Sequence, residues 1–233
     1  MIRFCILVTV AVLPLSGQRV DEIVDRAVAA RGGAAKIRAI KTQRLSGRIS
    51  FASDSPNAFS VEIRRGGSIR EEFVAAGAKL IRVSDGKTGW VRVGQDAPVP
   101  IQAADLKSLA GSADIDGLLI DYKEKGTQIA YAGIVEIEGQ KNYKLVITPK
   151  DGPGRTDYID TRTYFETKWE GTISANGKDL QVESFFRDYR DVDGIKIAFH
   201  IDSNTLGTNI NQKIVFDRIE INPQIDDERF TTP

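Results

Sequence analysis

The feature that most limits the possible fold is a two-residue hydrophobic period, which recurs along much of the chain after Lys41. Phe59, Val61 and Ile63 alternate with polar side chains, and the same alternation returns over residues 195–202. Successive side chains of a β-strand point to opposite faces, so this pattern is typical of strands with one buried face. The sequence therefore predicts a β-rich fold.

Short turn signals separate these strand-like runs. They are the pairs Asp85-Gly86, Asp151-Gly152, Asn176-Gly177 and Asp193-Gly194. Asp-Gly and Asn-Gly pairs readily adopt the left-handed conformations that tight hairpin turns need. We therefore expect an antiparallel sheet of about ten or eleven strands, in which strands that are consecutive in sequence pair with each other.

Helical periodicity replaces the strand pattern over residues 20–31, briefly over residues 34–40, and again over residues 102–122. The first segment ends at Gly32-Gly33, and glycine is common just past the end of a helix.

A sheet of ten or eleven strands cannot stay flat, because the twist of its strands accumulates. The expected fold is α+β and β-rich, an incomplete, half-open antiparallel β-barrel with helices covering its concave side. Its hollow is a candidate ligand site.

The N-terminus is typical of a secretory signal peptide. Arg3 precedes an apolar run over residues 4–13, and the small residues Ser16 and Gly17 follow soon after. A membrane anchor is the alternative, but the run is about half of the roughly 20 apolar residues that a spanning helix requires. We expect residues 1–17 to be removed and residues 18–233 to form a single exported domain that does not span a membrane.

Charge and residue counts exclude several function classes. The 32 Lys and Arg residues balance 32 Asp and Glu residues, so the chain lacks the positive field that nucleic-acid binding requires. Cys5 is the only cysteine and lies in the predicted signal peptide, and His200 is the only histidine. A cysteine nucleophile, a disulfide and a histidine cluster are therefore excluded from the mature chain. We predict no catalytic residue, no metal site, no cofactor and no enzymatic activity.

Several sequence motifs resemble one protein family in their order and spacing. They are VDEIV at residues 20–24, ARGG at 30–33, DGKTGW at 85–90, GLLIDYKEKG at 117–126, YID at 158–160, DYRDVDGIK at 188–196, and Phe230. Together they resemble the outer-membrane lipoprotein-sorting proteins, the LolA-like periplasmic carriers. The resemblance implies an incomplete barrel in the periplasm whose apolar cavity receives acyl chains.

Apolar residues on the alternating strands are the candidate cavity wall, with one tryptophan near its rim. The candidates are Phe59, Val61, Ile63, Phe73, Trp90, Tyr143, Leu145, Ile147, Ile195, Ile197 and Phe199. Two hypotheses follow for the domain. The first is a periplasmic carrier or binding protein for an acylated lipoprotein or lipid, with envelope membrane proteins as further partners. The second is a non-catalytic interaction or sensor module, whose hollow is filled by its own side chains.

Overall fold

The computed structural model describes residues 15–52, 55–175 and 177–231. The predicted signal peptide therefore lies mostly outside the described residues and stays a prediction, as does the boundary of the single domain. The described helices are α1 (Leu15–Ala30), α2 (Ala34–Arg38) and α3 (Ala103–Ser112), and a 3-10 helix (Asp227–Phe230) follows the last strand. No helix among the described residues is long and apolar enough to cross a membrane.

Thirteen strands make up the sheet formed by the described residues. They are β1 (Thr42–Phe51), β2 (Asn57–Arg64), β3 (Ser68–Ala75), β4 (Ala78–Ser84), β5 (Gly89–Val93), β6 (Val99–Pro100), β7 (Gln128–Ile137), β8 (Gln140–Thr148), β9 (Arg155–Asp160), β10 (Glu166–Ala175), β11 (Lys178–Val192), β12 (Ile195–Thr205) and β13 (Asn211–Ile221).

The sheet consists of two meanders joined at their centre. Its order is β6-β5-β4-β3-β2-β1-β13-β12-β11-β10-β9-β8-β7, and each pair of neighbours is antiparallel. Only the pair β1 and β13 joins strands that are distant in sequence. The predicted antiparallel, locally connected sheet is confirmed, but the expected count of ten or eleven strands is wrong. Strand β6 has only two residues, and β1 shows no clean two-residue burial pattern, so neither produces a periodic signal.

The position of α3 shows that the sheet is strongly curved. This helix packs against β3 and β4 and also against β10. Between β3 and β10 the sheet contains five other strands. In a flat sheet such strands would lie about 29 Å apart, whereas a helix is about 10 Å across. The sheet therefore curls around α3, and its edge strands β6 and β7 stay unpaired with each other. The expected half-open barrel with helix on its concave side is confirmed.

The helix predicted over residues 102–122 is shorter than expected. Helix α3 ends at Ser112, residues 115–116 form a bend, and residues 117–126 form successive turns. Asp114 accepts a hydrogen bond from the backbone amide of Asp116, which favours a turn over continued helix. Gly117 follows with a φ of 70°, a left-handed conformation. Ile115 and Ile120 are nevertheless buried, so the apolar spacing reports packing of this segment rather than a helix.

The C-terminal segment covers the convex face of the first meander. Arg229 forms an ion pair with Glu62, the two charged groups lying 2.7 Å apart, and Arg64 lies over the ring of Phe230. Glu62 is therefore buried, although its place in the alternating pattern of β2 predicts a solvent-facing side chain. Trp90 is held from the same side, because its indole Nε1 donates a hydrogen bond to the carbonyl oxygen of Thr231 over 3.1 Å.

The hydrogen bond from Trp90 to Thr231 gives a first prediction. Trp90→Phe should lower the free energy of unfolding by about 1 kcal/mol, because a mostly buried hydrogen bond is lost while most of the ring remains. Trp169→Phe is the comparison, since the Trp169 indole donates no hydrogen bond to a described residue. Chemical denaturation measures both. A Trp90→Phe protein as stable as the wild type would show that the contact with the C-terminal segment contributes nothing.

Candidate ligand cavity

The described residues form a cavity with a volume of about 820 Å³. It lies between α1, α3, the loop at residues 114–119 and the concave side of the second meander. Apolar groups make up the larger part of its surface, and they include those of Ala27, Leu45, Ile115, Leu118, Leu119, Ile159, Trp169, Ile173, Phe186, Ile197, Ala198, Ile201 and Phe216. A volume of this size falls within the range of small-molecule binding sites.

One end of the cavity reaches the protein surface, and we call this end the mouth. Its border consists of Lys107 and Ser108 on α3, residues 149 and 151–154 between β8 and β9, and Asp179 at the start of β11. Lys107, Asp151 and Asp179 are exposed. The amide of Ser174 donates to the Oγ atom of Ser108, which ties α3 to β10 beside the mouth.

Three charged side chains, which we call the charged cluster, lie next to one another in the wall, which also includes the charged residues Arg31, Asp114 and Lys196. Arg155 and Asp157 belong to β9, and Glu166 begins β10. Side chains alternate along a strand, so Arg155, Asp157 and Ile159 share the face toward the cavity. Gly171 lies opposite Arg155, and a Cβ atom at this glycine would lie 2.9 Å from the Cβ atom of Arg155. The glycine therefore makes room for the arginine.

Arg155 links the two acids of the charged cluster. Its Nη2 atom donates to Oδ2 of Asp157 over 2.9 Å and to Oε1 of Glu166 over 3.4 Å. Its Nε atom lies 2.7 Å from Oδ1 of Asp157, yet the alignment leaves both atoms without a hydrogen bond. The guanidinium also lies over the Trp169 ring, 5.5 Å from its centroid. Arg155 is thus held on the wall by a buried ion pair and an aromatic ring.

The turn between β9 and β10 positions Glu166. Buried Asp160 accepts hydrogen bonds from the backbone amides of Arg162 and Thr163, and its own amide donates to the carbonyl oxygen of Phe165. Although burial opposes ionisation of Asp160, the hydrogen bonds from these amides keep its pKa below the usual value. From β11, the Tyr189 hydroxyl donates to the backbone carbonyl of Glu166 over 2.8 Å. Both ends of this short segment are therefore fixed.

Burial dominates the electrostatics of the charged cluster. It raises the pKa of Glu166 to about 7, nearby Asp157 adds to the rise, and Arg155 and Arg31 partly oppose it. Burial also raises the pKa of Asp157, against the effect of Arg155. The pKa of Arg155 is raised because its two acidic neighbours outweigh the cost of burial, so the guanidinium stays charged. About a quarter of the Glu166 side chain, 24%, stays exposed, and Glu166 borders the cavity.

The structure places the eleven sequence-predicted wall residues in three groups. In the first group the residues pack with α2 and α3 in one core cluster: Phe59, Val61, Ile63, Phe73, Ile195, Ile197 and Phe199. Leu145, Ile147 and Tyr143 pack against α1, and Trp90 packs with Ile81 and Val83. Ile197 is the member of the set that borders the cavity. Contact of any of the eleven with a ligand stays a prediction.

Sequence reasoning missed the charged cluster, although β9 contained a signal for it. Arg155 and Asp157 occupy alternate positions that continue to Ile159, so a buried face carries two opposite charges. Charged residues on such a face are rare unless they are paired, and pairing here involves Glu166 on the next strand. The contact with Glu166 depends on the register of β9 and β10, which the sequence pattern does not specify.

No cluster of three or more potential metal-ligating side chains occurs among the described residues. The His200 side chain is partly buried, and its Nε2 atom lies 3.0 Å from Oδ1 of Asp202. Asp202 also pairs with Arg187. The imidazole thus lies beside the Asp202–Arg187 ion pair on the strand surface and does not border the cavity.

Solved structures with the same fold are found for nearly the whole chain. A DUF1329 family protein from Desulfovibrio piger aligns with a TM-score of 0.62 and 14% identity, covering 91% of this chain and 97% of that one. A domain described as an outer membrane lipoprotein-sorting protein, from Vibrio parahaemolyticus, gives 0.60 and 13%, covering 91% and 96%. A LolA superfamily protein from Nitrosomonas europaea gives 0.56 and 14%, covering 94% and 98%.

The chain has the LolA-like fold. The resemblance carried by the sequence motifs is thereby confirmed at the level of the fold. No protein-family model matches the sequence, and no curated protein matches it. In this LolA-like fold the helices and the curved sheet enclose the cavity, so the cavity rather than any sequence motif is the basis for a functional proposal.

Proposed function

We propose that the protein is a non-catalytic periplasmic carrier or binding protein for an acylated, apolar ligand, a lipoprotein or a lipid, in envelope trafficking. The observation that carries the proposal is the cavity of about 820 Å³ with its largely apolar wall. Similarity of fold to a protein described as lipoprotein-sorting supports the choice of ligand class. The predicted signal peptide supports the compartment.

The energetics of acyl chains agree with such a cavity. Transferring a methylene group out of water contributes about 0.8 kcal/mol, so a fatty chain gains roughly 10 kcal/mol when it leaves water. Only an apolar hollow can offer a comparable gain to a single chain in the periplasm. Leu118, Leu119, Phe186 and Ile197 supply aliphatic and aromatic contacts of this kind along the wall.

The alternative of an interaction or sensor module requires a hollow that is filled by the protein's own side chains. Part of the concave side fits this description, because Leu109 of α3 and Ile37 of α2 pack with Phe59 and Ile63. The part beside the second meander does not, since the cavity remains open there. The open part favours a carrier over a module with a closed core.

A cavity-filling variant tests the proposal. Ala198 is buried on β12 and borders the cavity, so Ala198→Trp should fill part of the space. We expect the affinity for N-phenyl-1-naphthylamine, a neutral apolar fluorophore, to fall by about tenfold or more. The indole would occupy space that the probe needs, and holding both in the cavity would require overpacking that costs about 1–3 kcal/mol. Fluorescence titration measures the binding, and laurate should displace the probe from the wild type.

Val146→Trp is the matched control, because Val146 lies on β8 with 39% of its surface exposed and does not border the cavity. It should bind the probe as the wild type does. Denaturation curves of both variants establish that they fold. Equal probe binding by wild type and Ala198→Trp would mean that the cavity is not the binding site, and absence of binding by the wild type would reject the carrier function.

A further inference from the structure

The charged cluster leaves hydrogen-bonding capacity unused on the wall of a largely apolar cavity. Of the Arg155 atoms, Nη2 contacts both acids, but Nη1 has no hydrogen-bond partner among the described residues. The Glu166 carboxyl group makes one weak hydrogen bond to a described residue, the 3.4 Å contact of its Oε1 atom with Arg155, and its Oε2 atom makes none. Polar groups that are shielded from bulk solvent and unpaired cost about 1–3 kcal/mol each, so such an arrangement is normally satisfied by a partner.

We propose that Arg155 and Glu166 form a polar subsite that binds the acyl carbonyl oxygen of an amphiphile whose hydrocarbon chain occupies the apolar cavity. This inference rests on the proposed function and names the part of the ligand that is recognised. The free Nη1 atom of Arg155 donates one hydrogen bond to the carbonyl oxygen. The Glu166 carboxyl group donates a second one when it is protonated.

The charges around the subsite favour an acyl oxygen over a cationic head group. Arg155 and Asp157 already neutralise each other as an ion pair. Glu166 holds its proton up to about pH 7 because of burial and the nearby Asp157. In that state the subsite presents two donors and no free negative charge. Arg31 also borders the cavity and opposes the ionisation of Glu166 without removing the effect of burial.

The surroundings of the subsite place the hydrocarbon chain. Trp169 and the aliphatic residues Ile159 and Ile173 border the cavity on the same two strands, β9 and β10. Leu118 and Leu119 form the wall across from the sheet in the loop after α3. An acyl chain bound by its carbonyl at Arg155 therefore meets apolar groups on both sides. A free acid and an ester-linked or amide-linked acyl group present the same oxygen.

Displacement of the fluorophore by ligands with one chain length and different head groups tests the subsite. The ligands are dodecane, laurate, methyl laurate and dodecylamine. We expect wild-type protein to bind laurate and methyl laurate about 10–100-fold more tightly than dodecane, the gain expected for a hydrogen bond from a buried charged donor. A stronger effect for laurate would indicate a free acid as the natural ligand, and an equal effect for both would indicate a linked acyl group.

Variants separate the roles of the two donors. Glu166→Leu, and Arg155→Met combined with Asp157→Leu, should reduce the preference for methyl laurate over dodecane, taken as a ratio within each variant, by about tenfold or more. The paired substitution removes both members of the ion pair, which avoids leaving one buried charge alone. Glu166→Gln keeps a donor and should keep most of the preference. Glu136→Leu, at an exposed acid on β7 that does not border the cavity, is the control and should keep all of it.

The outcomes distinguish this inference from the proposed function. If no ligand displaces the probe and the probe itself does not bind, the carrier function and the subsite are both wrong. If all four ligands bind alike in every variant, the cavity binds chains but the subsite is wrong. A preference for dodecylamine that Glu166→Leu abolishes would also overturn the proposal, because the subsite would then bind a cation.

Discussion

Gly47→Ala is expected to lower the free energy of unfolding by about 3 kcal/mol or more, among the largest effects of a single methyl group in this protein. Gly47 lies in β1 at a register shift in its pairing with β13. A Cβ atom there would lie 2.1 Å from the carbonyl oxygen of Val215 and 2.7 Å from the Cα atom of Phe216. Both contacts are with backbone atoms, so a side-chain rotation cannot relieve them.

The position of this clash in the sheet explains its size. The pairing of β1 with β13 is the junction between the two meanders, and each meander is otherwise held by hairpins between consecutive strands. Moving β13 away from β1 would also disturb Phe216, which is buried and borders the cavity. We therefore expect Gly47→Ala to weaken ligand binding as well as stability.

Urea denaturation monitored by circular dichroism measures this effect, with Gly111→Ala as the matched control. Gly111 lies within α3, and a Cβ atom there would contact nothing within 4 Å. The same substitution should raise stability at this position by about 0.5–1 kcal/mol, because alanine is the better helix former. If Gly47→Ala were as stable as wild type, the close approach of β1 and β13 would be incorrect.

Glu166→Gln should stabilise the protein at alkaline pH and leave it almost unchanged in acid. Burial raises the pKa of Glu166 from 4.5 to about 7, so the folded state holds this proton more tightly than the unfolded state. The wild type consequently loses stability as pH rises through this interval and reaches a constant deficit above it. A shift of this size corresponds to at most about 3 kcal/mol, and the neutral amide removes the deficit.

Unfolding curves at about pH 4 and about pH 8.5 measure the difference between wild type and Glu166→Gln. Glu136→Gln provides the control, because Glu136 is exposed on the edge strand β7. It loses the same charge but should leave the pH dependence as it is. A Glu166→Gln protein that gains no stability at alkaline pH would show that Glu166 ionises freely, which would place it in contact with bulk water.

The sheet was predictable from the sequence wherever one face of a strand is buried and the other is solvated. In β2 the alternation of Phe59, Val61 and Ile63 identifies the strand, and the Asp193-Gly194 pair identifies the turn between β11 and β12. Strands that lack this contrast between their two faces were not predictable. Strand β1 is partly covered on both faces, and β6 is too short to have a period.

The cavity wall was less predictable, because an inward-facing residue can meet either a helix or open space. Ile63 and Leu145 have the same alternating pattern as Ile197, yet α2 and α3 pack on the first and α1 packs on the second. Which part of a concave sheet stays uncovered depends on where each helix docks. The turns that follow Ser112 limit the length of α3 and therefore the part of the sheet that it covers. Hydrophobic periodicity does not reveal such turns.

The central claim, that the cavity holds an acylated ligand, is tested most directly by native mass spectrometry of the protein purified from an envelope extract of its source. Denaturing extraction and lipid analysis then identify whatever is bound. We expect one acyl-chain ligand per protein molecule, lost in Ala198→Trp and retained in Val146→Trp. Ligand-free protein that also takes up no fluorescent fatty acid would contradict the claim and would favour an interaction module.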